Sequence, residues 1–138
     1  MSHKLRSAGA VLAGFVFIAA FSIGTDRLVR ATWPSSIDAA GRIDDPMMLL
    51  GTLAYVGVWA ILGCWLTSRL APSHALRHAL VLGLLGLAVN VAGSMATWNA
   101  APTWYHLVAI ATTLPWAWIG GKLGVRQIRR EMLAALAA

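Results

Sequence analysis

The chain is short of charge, and shortest of acid. Only 12% of its 138 residues are Asp, Glu, Lys or Arg, and only five are acidic. A soluble domain carries roughly 25% charged residues, so this composition argues against a folded soluble unit. Glu131 is the only glutamate, and no paired-carboxylate site is visible. Cys64 is the only cysteine, which excludes an intramolecular disulfide and a thiolate metal cluster. Inside an apolar run it is expected to act as a small packing residue. Nucleophile–base arrangements and phosphate-cradling loops are missing too. Gly120, Gly121 and Lys122 lack the earlier glycine and the following Ser or Thr of a P-loop.

Apolar length stands in place of charge. The sequence is 59% hydrophobic, with a mean hydropathy of +0.70. Four apolar runs cover residues 8–25, 47–67, 75–97 and 103–121. Each has about the length that crosses a ~30 Å hydrocarbon layer at ~1.5 Å per residue. They predict an all-α fold, a four-helix transmembrane bundle forming one domain over residues 1–138. Residues 26–46 then form an outer loop and residues 122–138 a cytoplasmic tail, expected to continue as a helix whose arginines face anionic headgroups. His3, Lys4 and Arg6 before the first run resemble the start of a signal peptide. No A-x-A cleavage pattern follows, which predicts an uncleaved first span.

Net charge of +6 and a pI near 10.8 are read as a topology signal and not as a nucleic-acid surface, since no recognition motif accompanies them. Lys4, Arg6, Arg69, Arg77, Lys122, Arg126, Arg129 and Arg130 fall on one side, and Arg27, Arg30 and Arg42 on the other. That asymmetry predicts both termini in the cytoplasm of a bacterial inner membrane. Trp98, Trp104 and Tyr105 are expected at the outer interface, and Trp65, Trp116 and Trp118 towards the inner one. In the outer loop, Trp33 to Ser36 and Asp44 to Pro46 carry turn and helix-start chemistry, with a short helix expected over 36–42.

A faint repeat pairs Ala10 to Gly14 with Ala79 to Gly83, and Trp59, Ala60 and Gly63 with Trp116, Ala117 and Gly120. It suggests a tandem helical hairpin related by an axis along the membrane normal. Helices in lipid associate through close packing and polar contacts, so Gly14, Gly83, Gly86, Gly93 and Gly120 are assigned to helix packing. Pro115 is expected to kink the fourth span, with Thr112 and Thr113 helping to satisfy the freed backbone groups.

The candidate polar cluster is Asp26, Asn90, Trp98, Asn99 and His106. Asn90 lies mid-span and needs a partner on another helix. Asp26 reads as a lip residue, solvated or paired with arginine, and with His106 it is the best available proton-handling pair. His74 and His78 are one helical turn apart but lack further ligands for a metal. No catalytic, cofactor or metal residue is assigned.

Gly24 to Asp26, Thr67 to Pro72, Arg77 to Leu80, Ala96 to Asn99, Trp104 with Tyr105, and Pro115 to Leu123 resemble a group of small, functionally uncharacterised bacterial four-span membrane proteins. The resemblance implies an inner-membrane setting and brings no activity. Two functions are expected from the whole reading. The first is a non-enzymatic accessory or interaction subunit, packing with itself or a larger membrane complex. The second is a small dimeric transporter or channel using the outer polar cluster, which requires an ionisable residue facing a cavity.

Overall fold

The structure is a computed structural model and describes residues 3–34 and 37–137. It is all-helical among those residues: α1 (His3–Thr32), α2 (Pro46–Leu70), α3 (Ala75–Ala96) and α4 (Thr103–Ala137), with a 3-10 turn at Trp98–Ala100. Three of the helices, α1, α2 and α3, are long and apolar enough to cross a membrane. α4 is not among them, because His106, three threonines, Pro115 and three tryptophans dilute its apolar residues.

The ends of the helices follow local chemistry. α1 runs past the expected boundary at Thr25, because no proline or glycine interrupts residues 25–32 and each added residue gains a backbone bond. It stops before Pro34, whose ring disfavours helical geometry at Trp33. Asp26, Arg27 and Arg30 therefore stand on a helix, not in the loop. α2 starts with Pro46 as its first residue, and the Asp45 carboxylate caps it by accepting from the Met47 amide at 2.9 Å. α4 continues through Pro115 into the tail. Thr112 and Thr113 donate to the carbonyls of Val108 and Ala109, which precede the Ala111 carbonyl that Pro115 deprives. A threonine reaches its own i−4 carbonyl most easily, so these hydroxyls do not repair the proline gap.

The expected short helix over 36–42 is not found in its described part, and Ser36, like Ser35 in the turn motif, lies outside the described residues. Asp38 instead accepts from the amides of Ala40 at 2.9 Å and Arg42 at 2.7 Å, closing a loop that Gly41 completes at φ 80°. A side chain that binds its own backbone competes with a helix and here wins. The Ile43 amide then donates to the Ala100 carbonyl at 2.9 Å, tying the long connector to the α3–α4 turn.

Successive helices run in opposite directions. Thr67 near the end of α2 donates to Ala10 near the start of α1, Ser68 meets the start of α3, and Gly83 faces Ala117. Both ends of the chain therefore come to one end of the bundle. α2 and α4 run side by side at its centre, α3 lies against α4, and α1 covers α2 while touching α3 only sparsely. The buried core is Cys64, Ala79, Leu82 and Ala117, with Val11, Phe15 and Ile18 closing it from α1.

Close packing is concentrated at the end holding the termini. A Cβ on Gly14 would strike Thr67 and Leu82, one on Gly83 would strike Ala117, and one on Gly120 would strike the Ile61 carbonyl and Cys64. Gly86 is in ordinary contact with Thr113, and Gly93 has open space around it. Trp116 departs from its expected place near the inner interface. Its indole lies against Gly57 within the bundle.

Candidate functional site

The polar residues gather in the other half of the bundle, under the connector. Asn90 reaches from α3 to α4: its amide nitrogen donates to the Ala109 carbonyl at 3.1 Å and to Thr113 Oγ1 at 3.0 Å. Its amide oxygen accepts from Ser94 at 3.4 Å. The amide is thus engaged on both sides, as a polar group withdrawn from solvent requires.

His106 stands in the first turns of α4 and is 3% exposed. Trp98 stacks on one face of the imidazole, with centroids 5.1 Å apart and planes 15° from parallel. Tyr105 meets it edge-on at 5.6 Å. Nε2 of His106 is buried and has no hydrogen-bond partner among the described residues, and the same holds for Ser22 Oγ on α1. Both residues line one cavity of about 450 Å³, together with Asn90, Ser94 and Thr113.

Asp26 lies in a neighbouring space. Its carboxylate accepts from the Tyr55 hydroxyl on α2, so its partner is a phenol and not the expected Arg27 or Arg30. One turn deeper, the Trp59 indole donates to Thr25 at 3.1 Å, so α1 and α2 are joined by two polar contacts at this level. Asp26, Arg30, Tyr55 and His106 line a second cavity of about 190 Å³. His106, Tyr105 and Thr97 belong to both cavities. His106 therefore lies between the space that Asn90 faces and the space that Asp26 faces.

Of the five residues expected to form the cluster, three reach these cavities. Trp98 acts through its stacking on His106. Asn99 is exposed on the 3-10 turn, lines neither cavity, and contributes its carbonyl to Arg42 at 3.5 Å. Ser94 and Tyr55 were not anticipated. A signal for Ser94 was present, since it lies one turn beyond Asn90 on the same face. Tyr55 could have been found by depth, as a phenol two turns into α2 opposite an acid near the end of the first run.

Among the described residues no cluster of His, Cys, Asp and Glu could hold a metal ion. His78 has Nδ1 at 3.3 Å from the His74 carbonyl, on the helix itself. The exposed loop carries an Arg42–Asp44 ion pair at 2.7 Å, and the carboxylate raises the guanidinium above its ordinary value. Comparison with protein-family models, curated proteins and solved structures finds no match to this chain.

Proposed function

We propose that the chain is a non-enzymatic, four-span protein of the bacterial inner membrane, with both termini cytoplasmic, that handles a solute through the polar cluster in its outer half. His106 carries this reading: a buried, ionisable ring with an unpartnered nitrogen, on the wall of two cavities. That is the feature a transporter or channel needs and a packing subunit does not. Two copies of a four-span chain suffice to build one path, and the paired hairpins would be tandem copies of one unit.

Counting α4 as the fourth span is supported by where its polar groups point. Thr113 is bonded to Asn90, and His106 is buried. Thr113 and His106, which lower its hydropathy, are thus turned into the bundle, while Trp104 and Trp118 are exposed as interfacial rings are, and the charge asymmetry of the ends supports the orientation.

The competing reading is an accessory or interaction subunit, packing with itself or a partner membrane protein. It is favoured by Gly9 and Gly24 on α1 and Gly51 on α2, where an added Cβ would meet nothing within 4 Å. Such outward small residues let another helix approach closely.

Thiol accessibility separates the two. In a Cys64→Ala background, Ser22→Cys should react with a membrane-impermeant maleimide added outside, as Arg42→Cys in the outer loop should. Labelling at position 42 with none at 22, together with oligomers in native mass spectrometry, would favour the interaction subunit. Labelling of Arg42→Cys only from the cytoplasmic side would overturn the orientation.

A further inference from the structure

The larger cavity has a shape and a chemistry that narrow its occupant. Along α3 and its C-terminal cap it is lined from Leu82 to Thr97, which at ~1.5 Å per residue is about 22 Å. A volume of about 450 Å³ drawn out over that length makes the cavity long and narrow, a shape that suits one extended hydrocarbon chain. Its deep walls are apolar: Leu82, Val56, Phe15 and Trp116 among them. Its two unpartnered polar atoms, Ser22 Oγ and His106 Nε2, stand towards the outer end.

Charge is excluded more firmly. No Asp, Glu, Lys or Arg lines this cavity, so apart from the titratable His106 ring no charged side chain there would compensate a carboxylate or a phosphate, and none would compensate an ammonium group. Asp26 and Arg30 belong only to the smaller neighbour. The wall is also open sideways. Ile23 on α1 and Val89 on α3 line the cavity and are 51% and 54% exposed, and exposed Gly93 on α3 adds no side chain. For a chain embedded in lipid, that opening faces acyl chains.

We propose that this cavity binds an uncharged, single-chain amphiphile that enters from the bilayer, lays its tail along α3, and presents a hydroxyl or carbonyl head to Ser22 and His106. The assignment names the substrate class of the site and rests on the reading of the cavity as a solute site. Hydroxyl and carbonyl heads share the chemistry, since a neutral imidazole and a serine can together donate or accept.

The test uses the full chain in phosphatidylcholine nanodiscs, photolabelled with a diazirine-bearing hexadecanol or the matching methyl ketone. Hexadecyl probes with a carboxylate or trimethylammonium head serve as charged controls. Neutral probes should label residues 18–23 and 86–94 saturably, with competition by unlabelled hexadecanol. Outward positions such as Leu12 should label weakly and without saturation. Which neutral probe competes better assigns the head as hydroxyl or carbonyl. Gly93→Leu, whose side chain enters open space and leaves the helices packed, should lower cavity labelling about tenfold, with an unchanged circular dichroism spectrum. The double variant Ser22→Ala, His106→Phe should erase the preference for neutral over charged heads. Equal labelling by charged and neutral probes would overturn the head-group assignment. No saturable labelling by any probe, with Ser22→Cys still reactive from outside, would overturn the amphiphile while leaving a water-lined solute site. Failure of both would remove the solute reading as well.

Discussion

The two ends of this bundle are built from the same four helices and packed by opposite means. At the end holding the termini, small residues bring backbones together. Gly14, Gly63, Gly120 and Gly124 sit against neighbouring helices with no room for a Cβ. Thr67 and Ser68, both fully buried, donate to the carbonyls of Ala10, Ala75 and Gly121 on all three neighbours. At the other end, α3 approaches α4 through the Asn90 amide, α1 meets α2 through Asp26 and Tyr55, and two cavities lie between. In lipid, helix association rests on contact and polar bonds, because there is no water to exclude. A half that closes on glycine and hydroxyl groups leaves little space between its helices. A half that closes on a few long polar side chains leaves space, and space beside an unpartnered imidazole is where a ligand can be held.

The largest effect that could break this contrast is a leucine placed at matching small positions in the two halves. Gly14→Leu must force α1 away from Thr67 and Leu82, at a cost of about 3 kcal/mol or more. Gly93→Leu meets nothing within 4 Å and should change stability by less than about 0.5 kcal/mol. Unfolding in mixed micelles, followed by circular dichroism, measures both. Equal losses would mean that the half holding Gly93 is as tightly closed as the end holding the termini.

A smaller effect is expected at Asn90. Asn90→Ala removes donors to Ala109 and Thr113 and the acceptor for Ser94. Polar contacts between helices in membranes average about 0.6 kcal/mol and reach about 1.7. A loss near the upper value is expected, because three partners are affected. The Thr113 hydroxyl keeps its bond to Ala109, which limits the damage. A loss as large as that of Gly14→Leu would show that the polar half, not the glycine half, holds the bundle together.

How far this was legible in the sequence depends on which interaction decides each residue. Helix number and the approximate ends of α2 and α3 follow from apolar length, Pro46 and Asp45, which act within a few residues. The need of Asn90 for a partner was legible because a lone amide in an apolar run has few alternatives. The partner of Asp26 was not legible: Arg27 and Arg30 are adjacent in sequence, whereas Tyr55 is brought near only by the pairing of α1 with α2. The 36–42 segment misled for the opposite reason, since a single side chain, Asp38, redirected the backbone. Trp116 was placed by its class, as an interfacial ring. Only the missing side chain at Gly57 on another helix draws it inwards.

The smallest expected effect tests whether the close-packed end owes anything to charge. Arg69 at the end of α2 and Glu131 on α4 form an ion pair at 2.5 Å, with Gln127 adding a bond at 3.2 Å. The hydrogen bond from Arg69 holds the Glu131 carboxyl below its ordinary value, against a weaker opposing effect of desolvation. A depressed folded value means that the contribution is fully present above the ordinary glutamate range, about 4.3. It is lost as the pH falls through the lower folded value. The pair is solvent-accessible, with its side chains 30% and 54% exposed, so its contribution is small and weakened by salt. The gap in micellar unfolding midpoint between the wild type and Glu131→Gln should therefore hold constant from neutral pH to about pH 5 and then narrow slightly. Added salt should shrink that difference. A drop of the same size in both at lower pH would assign the acid sensitivity to the other end, where Asp26, Asp38, Asp44 and Asp45 are the remaining carboxylates. The polar half, not the glycine half, would then be the one that acid opens.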